Sequence, residues 1–160
     1  GKPAQAIEDR IAQVTQEAYD NGDYIFVAMD RHDEGDTFHP ETKLFPPHNI
    51  AGTSGRELYG KLAGVYDAIK DDNRVFWMDK RHYSAFSGTD LDIRLRERRV
   101  TTVVLTGVLT DICVLHTAID AYNLGYDIEV VASATASLTP EAHDFAIGHF
   151  KNVLGATIVE

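Results

Sequence analysis

Residues 100–125 read VTTVVLTGVLTDICVLHTAIDAYNLG. Val100, Val103, Val104, Leu105 and Val108 form a nearly continuous, β-branched apolar run, the composition of a strand covered on both faces. A strand is therefore predicted over 100–108, placed centrally in a sheet. Asp111 to Leu124 predicts a helix, with Thr110 or Asp111 near its N-terminus and Gly125 free to take the left-handed conformation that ends it. A strand leading through a short turn into a helix is the repeating unit of a parallel α/β domain.

The flanking sequence repeats that alternation. Asp127 to Ala132 predicts a further strand, and Thr139-Pro140-Glu141 starts a helix running to about Lys151. Proline at a first helical position gives up no needed donor, and glutamate favours the positive end of the dipole. Ala156 to Val159 is the closing strand. Toward the N-terminus, Ala4, Ile7, Ile11, Val14 and Ala18 recur at three- and four-residue steps up to Asn21-Gly22, which predicts an amphipathic helix. Tyr24–Met29 and Val75–Met78 are short apolar runs that suit buried strands and end in charge. Thr89-x-x-Asp92 resembles a capping box at the start of a short charged helix, Leu91–Arg98. Together these elements predict a three-layer α/β/α sandwich with a mostly parallel sheet and right-handed crossovers. Two stretches stand outside the pattern: Arg31–Arg56, with prolines at 40, 46 and 47, and Lys80–Thr89. Long ordered loops of this kind are often functional.

Composition narrows the function. A chain of 160 residues with 44% apolar content fits one domain, 1–160. A formal charge of −10 repels a phosphate backbone, so nucleic acid is not an expected partner. The single cysteine rules out an intrachain disulfide, and no run approaches the ~18 apolar residues of a membrane span. The chain starts at Gly1 with no apolar signal region, and a reducing, cytoplasmic setting is expected.

Three groups of residues could carry chemistry. Asp30 and His32 lie two apart at the end of a strand, where side chains point the same way, and Glu41 and His48 follow in the long loop. These are metal-type ligands, although a solvated acidic loop with incidental histidines has the same composition. Two imidazoles and two carboxylates suit zinc, manganese or iron about equally. Cys113 falls beyond the C-terminal end of the 100–108 strand, in the first turn of the next helix, where backbone N–H groups favour a thiolate. A free cysteine is equally often a small buried core residue. Lys80 follows the Val75–Met78 strand, so Asp30, Lys80 and Cys113 would gather on the one sheet edge where open α/β folds bind ligands. Tyr83 and Phe86, with Phe45 from the earlier loop, could stack a ring-shaped substrate. His116, His143 and His149 fall on helices and read as structural or surface residues.

Taken together, Asp30-x-His32, His39-Pro40-Glu41 through Phe45-Pro46-Pro47-His48, Trp77-Met78-Asp79-Lys80-Arg81-His82-Tyr83 and Gly107-Val108-Leu109-Thr110-Asp111-Ile112-Cys113-Val114 resemble the nicotinamidases of the isochorismatase-like cysteine hydrolase family. The resemblance spans nearly the whole chain. It implies one divalent metal per chain, zinc first, with manganese or iron as alternatives, held by Asp30, His32, Glu41 and His48. It implies Cys113 as the nucleophile that forms a thioester with nicotinamide and releases ammonia, and Lys80 as its catalytic neighbour. Backbone N–H groups of Leu109 and Cys113 would form the oxyanion hole, with a cis peptide between Val108 and Leu109. Phe45 and Tyr83 would contact the substrate. The family's general base is an aspartate on a first, central strand. That strand and its aspartate are expected to be absent from a chain shortened at its N-terminus. A role in NAD salvage, in a homo-oligomer, follows from the same resemblance. Two other readings share these residues: an amidase of another small amide, and a noncatalytic, metal-bound binding domain.

Overall fold

The computed structural model describes residues 1–160, in an α/β fold of six α-helices and five parallel-paired strands. In chain order these are α1 (Lys2–Ala6), α2 (Glu8–Asp20), β1 (Ile25–Asp30), α3 (Gly60–Ile69), β2 (Val75–Lys80), α4 (Leu91–Glu97), β3 (Thr102–Val108), α5 (Leu115–Leu124), β4 (Asp127–Ala136), α6 (Pro140–Asn152) and β5 (Thr157–Val159). Every predicted element forms, with ends that move by a few residues, except that the single N-terminal helix predicted through Ile7 is broken there into α1 and α2. α3 is an addition, although Leu62, Val65, Tyr66 and Ile69 carry the helical spacing that announces it.

The strands fall into two parallel sets. β1 pairs with β2, and β3, β4 and β5 pair in that order. The expected absence of a first central strand is not borne out: α2 leads into β1, and each set of strands pairs within itself. The placement of the 100–108 run needs correction. β3 ends its set, and β4 has neighbours on both sides. Burial follows pairing, since Val130 and Ala134 of β4 are fully buried whereas Val104 of β3 is 52% exposed.

Side-chain packing joins the two sets. Met78 of β2 shares one apolar cluster with Leu91 and Leu95 of α4, Leu115, Ala118 and Ala121 of α5, Val130 of β4 and Phe150 of α6. No helix is long and apolar enough to cross a membrane. At helix ends, Gly125 takes φ 82° after α5, and the Thr139 hydroxyl accepts the Ala142 N–H at the start of α6. The predicted capping box at α4 does not form. Asp90 stands at the cap, its carboxylate accepting from Arg94 and not from a backbone N–H, and the Thr89 hydroxyl accepts the Leu91 N–H instead.

Between β3 and α5 the chain makes a π-helical turn, Thr110–Val114, where an α-helical first turn was predicted. Its bond runs from the Val114 N–H to the Leu109 carbonyl, five residues back. The Val108–Leu109 peptide is cis, as the resemblance implied.

Candidate active site

Parallel pairing aligns Asp30 of β1 with Lys80 of β2 at the C-terminal ends of both strands. Residues in register share a face, so carboxylate and ammonium meet directly. Lys80 donates to Asp30 Oδ1, to the His82 carbonyl at 3.0 Å and to Cys113 Sγ at 3.7 Å. Three donors with three acceptors are the full complement of an ammonium, so a lysine only 5% exposed has every N–H directed at a partner.

Cys113 reaches this pair from the π-helical turn. Burial pushes its thiol up to about 11, the nearby Lys80 charge pulls it down, and the Asp30 and Glu41 carboxylates push it further up. The thiolate preference expected of a helix N-terminus is thus outweighed by desolvation. Thr110, fully buried, shares a hydrogen bond of 3.0 Å with His143 Nδ1, so His143 holds the start of the cysteine-bearing turn.

The long loop folds its histidines around Glu41. His32 Nε2 lies 3.7 Å and His48 Nε2 3.3 Å from Glu41 Oε2, and the His32 ring centre is 4.1 Å from that of His39 and 4.4 Å from that of His48. Both ring nitrogens of His32 and Nε2 of His39 are buried without a hydrogen-bond partner. Burial, followed by its histidine neighbours, holds the His32 pKa below the ordinary value, so its imidazole is neutral at pH 7.

These contacts test whether a metal fits. His48 Nδ1 lies 2.8 Å from the Pro46 carbonyl and must donate to it, which turns Nε2 toward the Glu41 carboxylate. A lone pair and an anion at 3.3 Å are stable only with a cation or proton between them. Divalent-metal ligands show this same orientation by a carbonyl. The residues therefore fit a cation.

His39 is the residue that sequence reasoning passed over, although it stands two before Glu41. His32, His39 and Glu41 can bring one ligand atom each within 4.8 Å of one another. His39 Nδ1, however, accepts the Glu41 N–H at 3.2 Å, so in the neutral ring Nε2 carries the proton and is a donor. By donor chemistry His32, Glu41 and His48 are the residues of this loop that could offer a cation an atom, while His39 caps the turn carrying Glu41. Asp30 is placed between two roles, held by Lys80 through Oδ1 while its charge acts on both His32 and Cys113.

Beside Glu41 opens a cavity of about 340 Å³, lined among others by Leu44, His82, Tyr83 and His116. Tyr83 and His116 tilt together at 5.2 Å. His116 is a further residue the sequence reading set aside. Phe45 lies outside this cavity, edge-on to His48 at 6.2 Å. A larger concavity of about 590 Å³ is lined by Tyr24, Asn73, Arg74, Glu97 and Arg98, at the opposite, N-terminal ends of β1 and β2. Cys113 lines neither; the smaller cavity borders Glu41 and His82, the latter holding Lys80 through its carbonyl, and is the candidate site on that ground.

Known proteins share this arrangement of chain. The isochorismatase domain family matches residues 2–159. The isochorismatase family protein PncA of Bacillus subtilis is 52% identical over 160 residues, which are all of this chain and 87% of that protein. A crystal structure of a pyrazinamidase/nicotinamidase from Streptococcus mutans is 79% identical, with a TM-score of 0.98 over 99% of this chain and 88% of that one. A pyrazinamidase of Pyrococcus horikoshii, solved in complex with zinc, is 26% identical, with a TM-score of 0.84 over 98% of this chain and 86% of that one.

Proposed function

Because this chain belongs to the isochorismatase family, we propose that it hydrolyses the carboxamide of nicotinamide, giving nicotinate and ammonia through a thioester on Cys113. The observation that carries the proposal is the Lys80 ammonium, bonded at once to Asp30 and to the Cys113 thiol. A cation fixed beside a buried thiol stabilises the thiolate, which is the nucleophile.

Cys113 Sγ attacks the carboxamide carbon, and the C–N bond breaks as the nitrogen leaves with an added proton. Water then cleaves the thioester, forming the carboxylate and returning the thiol. We assign to the backbone N–H groups of Leu109 and Cys113 the stabilisation of the oxygen on which charge develops. Lys80 already carries its protons and has spent its donors, so it holds the thiolate and does not abstract the thiol proton. A carboxylate must take that proton and deliver it to the leaving nitrogen. Asp30 is the carboxylate in contact with Lys80, and its charge also acts on His32.

His32, Glu41 and His48, with Asp30 adjacent, would hold one divalent cation, zinc first and manganese or iron after it. Such an ion supplies a positive charge toward which a pyridine nitrogen can be directed. Tyr83 and His116 offer the ring aromatic surface, tilted to each other by 56°, and Phe45 borders the site from the side of His48. This activity returns nicotinamide to pyridine-nucleotide synthesis, a cytoplasmic task. The test is ammonia release from nicotinamide by the zinc-loaded protein, with Cys113→Ala beside it. Turnover abolished in Cys113→Ala, with a thioester trapped by mass spectrometry in the parent, supports the reading; wild-type turnover in Cys113→Ala overturns it.

A further inference from the structure

Arg56 ends the long loop that begins after Asp30, and its side chain returns to where the loop started. Its Nε donates to the Asp30 carbonyl at 2.8 Å, and a terminal nitrogen donates to Asp79 Oδ1 at 2.6 Å. The guanidinium lies 5.9 Å from the centre of the Trp77 ring and the side chain is only 14% exposed. Trp77 Nε1 donates to the same Asp79 oxygen at 3.0 Å, and Arg31 takes the other oxygen at 3.1 Å. One partly buried guanidinium therefore ties the far end of the loop to the last residue of β1 and to β2.

Between the two tied ends lie His32, His39, Glu41 and His48. Within the loop, backbone bonds join His32 to Asn49 and Ala51, so closing the ends also fixes the distance between His32 and the segment carrying His48. A loop of this length loses considerable entropy when its ligands converge, and a ligand set assembled beforehand binds more tightly because that loss is already met. We infer that Arg56 is a positioning residue for the cation site, a clasp that holds the ligand-bearing loop closed against Asp79; the inference rests on reading His32, Glu41 and His48 as a metal site. Arginine suits the position because its rigid planar fork meets a carbonyl and a carboxylate at a fixed spacing, a geometry that a lysine's single ammonium does not reproduce.

The sole tryptophan, Trp77, touches the clasp and reports on it. The experiment measures Zn²⁺ affinity of the full chain by competition with a chromophoric chelator, together with Trp77 emission, for wild type, Arg56→Met, Arg56→Lys, Asp79→Asn and the Arg56→Met/Asp79→Asn double variant. Circular dichroism and thermal unfolding monitor the fold. Wild type is expected to bind about one Zn²⁺. Arg56→Met and Asp79→Asn should each bind about 10- to 100-fold more weakly, the range for groups that orient ligands. The double variant should be little worse than either single one, and Arg56→Lys should recover only part of the loss. If Arg56→Met fails to fold, Asp79→Asn decides, since it leaves the bond to the Asp30 carbonyl in place. Wild-type affinity in a folded Arg56→Met or Asp79→Asn overturns the clasp and leaves the metal site standing; no stoichiometric Zn²⁺ binding by wild type overturns both.

Discussion

Asp30 and Lys80 occupy the same rung of the β1–β2 ladder, and their ion pair is joined to Cys113 through a single ammonium. Lys80 is the favourable charge at the thiol, opposed there by Asp30 and Glu41. Lys80→Met removes that charge and leaves both carboxylates, so the thiol should be harder still to ionise. A further rise of about one pKa unit corresponds to roughly tenfold slower alkylation by iodoacetamide near pH 8. An unchanged rate would show that Lys80 does not govern the thiol. Stability should fall by less than the roughly 3–5 kcal/mol lost on breaking a fully buried pair, because the Asp30 side chain keeps 19% exposure.

The pH dependence of Cys113 carries a definite sign. Its folded value of about 11 lies above the ordinary value of 9.0, so the unfolded chain loses this proton first. The contribution to stability is complete below pH 9 and disappears as pH rises toward 11, about 2–3 kcal/mol in all. For the metal-free protein, alkylation should be slow at pH 7 and climb steadily to about pH 11. The alkaline loss of stability should be smaller in Cys113→Ala. A reactivity plateau near pH 8 would contradict the burial argument.

Asp30 can be assigned by one isosteric change. Asp30→Asn keeps the shape and one acceptor for Lys80 but removes the charge. Lost Zn²⁺ binding would make Asp30 a ligand, as the Asp30-x-His32 spacing suggested. Retained Zn²⁺ binding with ammonia release down about 10²- to 10⁴-fold would make it the proton carrier. Retention of both would remove it from the site.

Much of this was legible in the sequence because it depends on local chemistry. The valine-rich run 100–108, Thr139-Pro140 and Gly125 each specify their element through neighbours in the chain. Strand order is not local: β3 looks central by composition, and only its pairing partners show that β4 is. The π-helical turn depends on one bond from Val114 to Leu109, which no periodicity announces. Asp30, Lys80 and Cys113 converge because strands end together, so their common edge could be foreseen. The tautomers of His39 and His48 could not, since each is set by a backbone group, the Glu41 N–H and the Pro46 carbonyl.

Local specification also predicts a modest stability effect. Thr139→Ala removes the hydroxyl that accepts the Ala142 N–H at 3.2 Å. The cost should be about 1 kcal/mol, a fall of roughly 2–4 °C in Tm for a domain of this size, while Thr139→Ser should lie within error of the parent. Equal melting of all three would show that this cap contributes nothing.

The histidines of the long loop should separate by tautomer and not by distance alone. His39 lies as near to His32 as His48 does, and both approach Glu41. Proximity therefore cannot rank them. His48 is fixed with Nδ1 on the Pro46 carbonyl and Nε2 toward Glu41, so Nε2 can meet a cation without the ring turning. His39 would first have to give up the Glu41 N–H, uncapping the turn that carries Glu41 itself. Asparagine at position 39 can still accept that N–H, as it does at helix caps, but has no imidazole to offer a cation. Zn²⁺ affinity should thus fall by orders of magnitude in His32→Ala, His48→Ala and Glu41→Gln, and by less than about tenfold in His39→Asn. His39→Ala should be worse than His39→Asn, because it loses the cap as well. Measured by chelator competition, strong loss in His39→Asn with little change in His48→Ala would reverse the assignment and place the ion among His32, His39 and Glu41.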